Sequence, residues 1–200
     1  MRVALLKNLK SGRGEAAHAV ADVVHALEHA GHTVESHAVG HGISPDVIES
    51  IVRSAEAVIL AGGDGTIHHS LPILMLTRVP MLQFPLGTEN LFSREFAMTR
   101  SPKSIVAAID RGRRRAVDIG LCDNRPFSLM MSVGFDAGVV RRVAKARTST
   151  VRRSDYVVHG LHELNSHSAS RLSISRRPRI VIRILAWYGW SGSMCPQVIP

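Results

Sequence analysis

The chain has 200 residues, 45% of them hydrophobic, enough to bury a core and free of the bias of disordered or fibrous proteins. No apolar run approaches the roughly 20 residues of a membrane-crossing helix, and Cys122 and Cys195 alone build neither a disulfide framework nor a zinc site. The whole net charge of +9 lies in residues 138–200, which favours polyanionic partners such as nucleotide phosphates or an anionic membrane, while 4% aromatic content argues against nucleic acid.

Charge interrupts residues 1–8 too early for a secretory signal, so the expected compartment is the cytoplasm. Residues 3–6 (Val-Ala-Leu-Leu) read as a short buried strand, followed by Asn8 and the glycine-containing loop Ser11-Gly12-Arg13-Gly14. A helix is expected over 15–30, with Val20, Val23, Val24 and Leu27 on one face and Gly31 as its stop. Residues 32–39 read as a second strand, and Ser44 with Pro45 opens a second helix over 45–55. The third strand, 57–60, runs into Ala61-Gly62-Gly63-Asp64-Gly65-Thr66, and a third helix follows over 66–76, with a bend expected at Pro72. Residues 81–84 give a fourth strand, ending in Pro85-Leu86-Gly87-Thr88-Glu89-Asn90, before helices over 91–97 and 102–111. Strands alternating with helices at this spacing predict a parallel α/β sheet whose ligands bind beyond the strands' carboxyl ends.

The rhythm changes after 111–115. Residues 116–121 and 126–133 read as a hairpin closed by Asp123-Asn124, with a domain boundary near 113. Gly134-Phe135-Asp136-Ala137-Gly138 should end it, ahead of a basic helix over 139–147 carrying Arg141, Arg142, Lys145 and Arg147. A further strand is expected over 179–185.

Three glycines around one carboxylate at a strand end allow close backbone approach and exposed N–H groups that bind anions. Asp64 would repel a bare phosphate, so it implies a bridging cation or a proton to be removed; the economical ligand is a nucleotide triphosphate with Mg2+. The alternative is a tight turn in which Asp64 merely caps the following helix. Neither the P-loop nor the dinucleotide fingerprint is present.

Asn8-x-x-Ser11-Gly12-x-Gly14, Gly62-Gly63-Asp64-Gly65-Thr66, Pro85-x-Gly87-Thr88-x-Asn90, Val117-Asp118-Ile119-Gly120 and Gly134-Phe135-Asp136-Ala137 occur in that order. Together they resemble the diacylglycerol kinase catalytic family, which includes bacterial lipid kinases and sphingosine kinases and shares Gly-Gly-Asp-Gly-Thr with NAD kinases. The resemblance implies a Rossmann-like nucleotide-binding domain (1–112) and a β-sandwich second domain, incomplete here (113–200). It further implies transfer of the ATP γ-phosphoryl group to a lipid hydroxyl. Asn8 and Gly12 would sit near the nucleotide; Gly62, Gly63, Gly65 and Thr66 would cradle its phosphates; Thr88 and Asn90 would complete the pocket. Asp64 would act catalytically, through Mg2+ or on the acceptor's proton, and Asp136 would face the lipid headgroup. Asp118 reads as a structural hydrogen-bonding residue, and His68-His69, where the family often has Asn-Glu, as helix surface near the site.

The implied partners are a lipid substrate at the inner membrane face and anionic lipids along the basic segment after 138, with no nucleic acid; a homodimer is left open. Two departures stand out near the start: Leu9 replaces the usual proline, and Val39-Gly40-His41 lacks the usual threonine. A further acidic general base and a structural Mg2+ site of the family's second domain have no counterpart before Pro200. Residues from about 186 onward, with Trp187, Tyr188, Trp190 and Cys195, are expected to be a foreign tail left by a frameshift or early stop.

Overall fold

A computed structural model describes residues 1–8, 15–39, 44–146, 153–166 and 182–187. The apolar runs form β1 (Arg2–Asn8), β3 (Ala57–Gly62) and β4 (Met81–Pro85), with the more polar β2 (Thr33–Val39) outside β1. Every residue of β3 and β4 is buried. Side chains alternate across a strand, so burial at consecutive positions means that both faces of the sheet are covered. The covering helices pack in pairs: α1 (Glu15–His29) against α5 (Pro102–Arg111), and α2 (Pro45–Ser54) against α3 (Asp64–Thr77).

Local chemistry sets the helix ends. Gly31, at φ +84°, closes α1: its N–H bonds Glu28 O and that of His32 bonds Leu27 O, the paired bonds of a Schellman cap. Ser44 and Ser101 accept from Asp46 N and Ser104 N, with Pro45 and Pro102 at the first helical position, where a missing N–H costs nothing. Pro72 sits inside α3 without ending it.

Seven strands form one sheet in the order β2-β1-β3-β4-β7-β5-β6, mostly parallel. Beyond α5, β5 (Arg114–Cys122) pairs antiparallel with β6 (Arg125–Phe127) and β7 (Ile182–Trp187). Asp123 and Asn124, both at positive φ, make the two-residue turn whose twist suits a hairpin. β7 lies beside β4, so strands on both sides of residue 113 share this sheet.

Three expectations are corrected. The strand read over 126–133 is only Arg125–Phe127; Leu129, Met130, Met131 and Val133 are exposed and, among the described residues, pair with no strand. The basic helix starts earlier, at Phe135: α6 (Phe135–Ala146) takes Asp136 into its first turn, and α7 (Arg153–Ser166) packs against it. Ala186 and Trp187 are core residues rather than the start of a foreign tail. Trp187 is 1% exposed, pairs in register with Arg114 and receives that guanidinium over its ring at 4.8 Å. Residues 179–181 of the predicted strand, and Tyr188, Trp190 and Cys195, lie outside the described residues, as do Leu9, Ser11, Gly12, Gly14, Gly40, His41 and Arg147.

Candidate functional site

The strand order changes direction at β1: the chain steps from β1 out to β2, then returns to β3 on the other side. The crevice at such a switch point, beyond the strands' carboxyl ends, is where open α/β sheets bind ligands. Asn8 ends β1, Gly62 ends β3 and Pro85 ends β4, so all three candidate loops leave from the same edge.

Two of those loops are in direct contact. Gly63 and Gly87 face one another so closely that a Cβ on Gly87 would stand 2.7 Å from the Cα of Gly63. Glycine is required at 87 by this backbone approach, and at 63 a Cβ would be tight, 3.2 Å from the Cα of Gly87. Pro85 stands in register with Gly62, whose carbonyl accepts from Leu86 N (3.1 Å) and from the side chain of Gln83 (3.1 Å).

Asp64 fixes the second junction. Its two carboxylate oxygens accept from Leu91 N (3.0 Å) and Phe92 N (3.1 Å), the first N–H groups of α4 (Leu91–Glu95). Asp64 does cap a helix, then, but not the one it begins: it caps α4, across the crevice. Asn90 closes the loop from the other side, in the left-handed region at φ +48°. Its amide receives Gly87 N (2.9 Å) and donates to Gly87 O (2.7 Å). Asparagine tolerates that backbone region and matches both groups at once.

The N-terminus of α3 has no side-chain cap. Its N-cap is Gly63, so the first-turn amides are not satisfied by a capping side chain. Anions are favoured there by those amides and by the helix dipole. Gly65 is exposed, with open space where a Cβ would stand.

Thr66 also has a structural place at this edge. It is 6% exposed, its side chain lies over Gly62, and its hydroxyl accepts from Asn8 Nδ2 at 3.3 Å. The pair ties the end of β1 to the start of α3. Thr88 is exposed at the tip of its loop, where it makes further interactions. His68 and His69 are exposed on α3, edge to face with each other.

Outside the crevice, Asp118 pairs across strands with Arg183 (2.7 Å), the structural role expected of it. Asp136 is exposed in the first turn of α6. Arg142, half-exposed, forms an ion pair with the buried Glu163 of α7, which also fills the space beside Gly138, so Arg142 joins two helices. Arg141 and Lys145 are exposed on α6. Sequence reading missed Gln83, wholly buried behind Gly62, and Arg100, which donates to Pro85 O. Gln83 was visible as a lone amide in an apolar run; nothing local marked Arg100.

No cluster of three or more His, Cys, Asp or Glu able to hold a metal occurs among the described residues. Mg2+ dehydrates reluctantly and is usually held by one or two carboxylates together with substrate phosphates, and Asp64 offers one such carboxylate at this crevice. Each Asp64 oxygen has one backbone donor, and a carboxylate oxygen can accept more. The uncapped α3 amides and the glycine contact likewise fit a bound triphosphate.

Comparison with known proteins agrees with this geometry. The model of the diacylglycerol kinase catalytic domain matches residues 2–122. A diacylglycerol kinase of Mycobacterium tuberculosis is 29% identical over 164 residues, covering 78% of this chain and 53% of its own length. A Pectobacterium atrosepticum protein named "Probable lipid kinase YegS-like" is 28% identical over 133 residues, 64% of this chain and 44% of its own. The chain thus spans about half the length of the curated relatives it matches. A crystal structure of a Bacillus anthracis diacylglycerol kinase superposes with a TM-score of 0.52 over 63% of this chain and 45% of that one. At 22% identity, that is a likeness of fold.

Proposed function

The chain belongs to the diacylglycerol kinase catalytic domain family, and from there we propose that it binds ATP with Mg2+ in the crevice between residues 61–66 and 85–92 and passes the γ-phosphoryl group to a lipid hydroxyl. One observation carries the reading: Asp64 bonds the backbone that follows Asn90, which supports taking Gly-Gly-Asp-Gly-Thr and Gly-Thr-x-Asn as one site. Phosphoryl transfer asks a protein mainly for positioning and for neutralisation of phosphate charge. In this reading the amides at the start of α3 hold the phosphates, and Gly63 and Gly87 let backbone approach them without side chains between. Asp64 handles the metal or the acceptor's proton from a position fixed by two hydrogen bonds. When bound, Mg2+ would supply neutralisation of phosphate charge.

The acceptor would be a diacylglycerol, a sphingoid base or a comparable lipid alcohol, with Asp136 toward its headgroup. Arg141 and Lys145, exposed on α6, are the basic groups proposed to meet anionic lipid. Among the described residues no helix is long and apolar enough to cross a membrane, so lipid would be met at its surface. The second domain is proposed to begin near residue 113 and to continue in the longer relatives.

A γ-phosphate transfer assay tests the reading. Labelled ATP is offered with diacylglycerol, sphingosine, total lipid extract and NAD, using this chain and a version extended to the length of its relatives. Label on lipid supports the proposal; label on NAD alone transfers the site to the NAD kinase branch. Mg-ATP binding without turnover by either protein would leave a nucleotide-binding module.

A further inference from the structure

The carbonyl of Pro85 is the last acceptor of β4, and on the side away from β3 no described strand residue stands in register with it. Among the described residues β7 meets β4 in register at Met81 and Ala186, four residues earlier. A backbone carbonyl without a ladder partner needs another donor. Arg100 is that donor: its Nε bonds Pro85 O at 2.5 Å, and its Nη2 reaches Gly87 O at 3.5 Å. Gly87 O also accepts from Asn90 Nδ2. One guanidinium therefore spans the stretch of backbone whose α-carbon lies against Gly63.

We propose that Arg100 is a positioning residue of the nucleotide crevice, a clamp that sets the distance between the Pro85–Asn90 loop and the Gly62–Thr66 loop. Its own place is secured by its surroundings. Met98 N bonds Ser93 O (2.7 Å), the Met98 sulfur accepts from Gln83 N (3.1 Å), and Phe92 stacks on Phe96 at 4.6 Å. These contacts fold the segment after α4 back along β4 and carry Arg100 to that strand's end. Ser101 then caps α5, so the clamp is also anchored on its far side.

Arginine suits the task where lysine does not. The guanidinium fork presents N–H groups in one plane toward two acceptors, whereas an ammonium is a point charge on a flexible stem. The charge also lies where a phosphate would be drawn toward the loop. A catalytic crevice loses as much as ~100-fold in rate from a displacement of about 1 Å, and Gly87 has no slack against Gly63.

The proposal rests on the nucleotide reading for its consequence, not for its geometry, and the test separates the two. Arg100→Ala and Arg100→Lys are compared with wild type by amide hydrogen exchange without nucleotide, by Mg-ATP titration and by urea denaturation. With Arg100→Ala, amides 86–92 should exchange faster while β1 and β3 keep wild-type protection and the urea midpoint is retained. The dissociation constant for Mg-ATP should rise by about 10- to 100-fold. Arg100→Lys should recover only part of both effects. Unchanged exchange at 86–92 in Arg100→Ala overturns the clamp, and full recovery by lysine replaces it with a simple charge effect. Should Arg100→Ala unfold, the same exchange and binding comparison on Arg100→Lys decides. If wild type fails to bind Mg-ATP, the nucleotide reading falls, while the exchange measurement still judges the clamp.

Discussion

In β3 all six residues are buried, whereas on α7 Val157, Leu161 and Leu164 stand 65%, 61% and 64% exposed. The contrast extends to the ends of the elements. Around the crevice a side chain or a glycine meets each loop: Asp64 on α4, Asn90 on Gly87, Thr66 on Asn8, Arg100 on Pro85. Residues 128–133 have no strand partner among the described residues and expose Leu129, Met130 and Met131. The region proposed to hold the phosphates is thus closed by its own contacts, while the region proposed to meet the acceptor presents apolar surface, in a chain that spans about half the length of the relatives it matches. In the proposed function, preorganisation and acceptor choice would be carried by different parts of the sequence.

The contrast can be broken most severely at Asp64. Asp64→Asn should abolish phosphotransfer, with a loss of at least about 10²–10³-fold, because an amide cannot carry the charge that handles the metal or proton. The fold should survive, since losing a cap costs roughly 0.5–2 kcal/mol; an unchanged rate would put the chemistry elsewhere. Next comes Trp187→Ala, expected to cost about 3–5 kcal/mol in urea denaturation. A cost near zero would return that residue to a foreign tail. Gly87→Ala should follow at about 1–3 kcal/mol, because its Cβ would press on the Gly63 backbone rather than on a side chain that could turn aside. Nucleotide titration of that variant should show weakened binding.

The comparison is sharpened by a change expected to do almost nothing. Leu161→Gln on the exposed face of α7 should shift stability by no more than about 0.5 kcal/mol; a larger loss would mean that this face is packed against something. Glu56 gives the smallest effect. Arg2 N bonds its carboxylate at 2.7 Å and holds its pKa below the ordinary carboxylate value. A lowered folded-state pKa stabilises above the unfolded value and is lost as pH falls through the folded one. The slight stability difference between wild type and Glu56→Gln should therefore be present at neutral pH and vanish on acidification.

Sequence legibility followed the range of the interactions. The first four strands and their helices were readable because each rests on a local device: a continuous apolar run, a serine–proline start, a glycine at positive φ. The hairpin turn at Asp123-Asn124 was legible for the same reason. Residues 126–133 misled because an apolar run specifies a strand only when a neighbour exists to pair with it. Trp187 misled in the opposite sense: its unusual company suggested a foreign segment, yet register with Arg114, far back in the chain, buries it. The site divided along the same line. Its glycines, Asp64 and Asn90 were visible as motifs, but the bond from Asp64 to residues 91 and 92, the packing of Thr66 on Gly62 and the reach of Arg100 are properties of the folded edge.

Amide hydrogen exchange on the wild-type chain, with and without Mg-ATP, tests the shared crevice most directly. Protection should appear together at residues 62–66 and 86–92, and disappear from both in Asp64→Asn. Protection confined to one loop, or located among β5, β6 and β7, would contradict a single triphosphate site built from the two motifs.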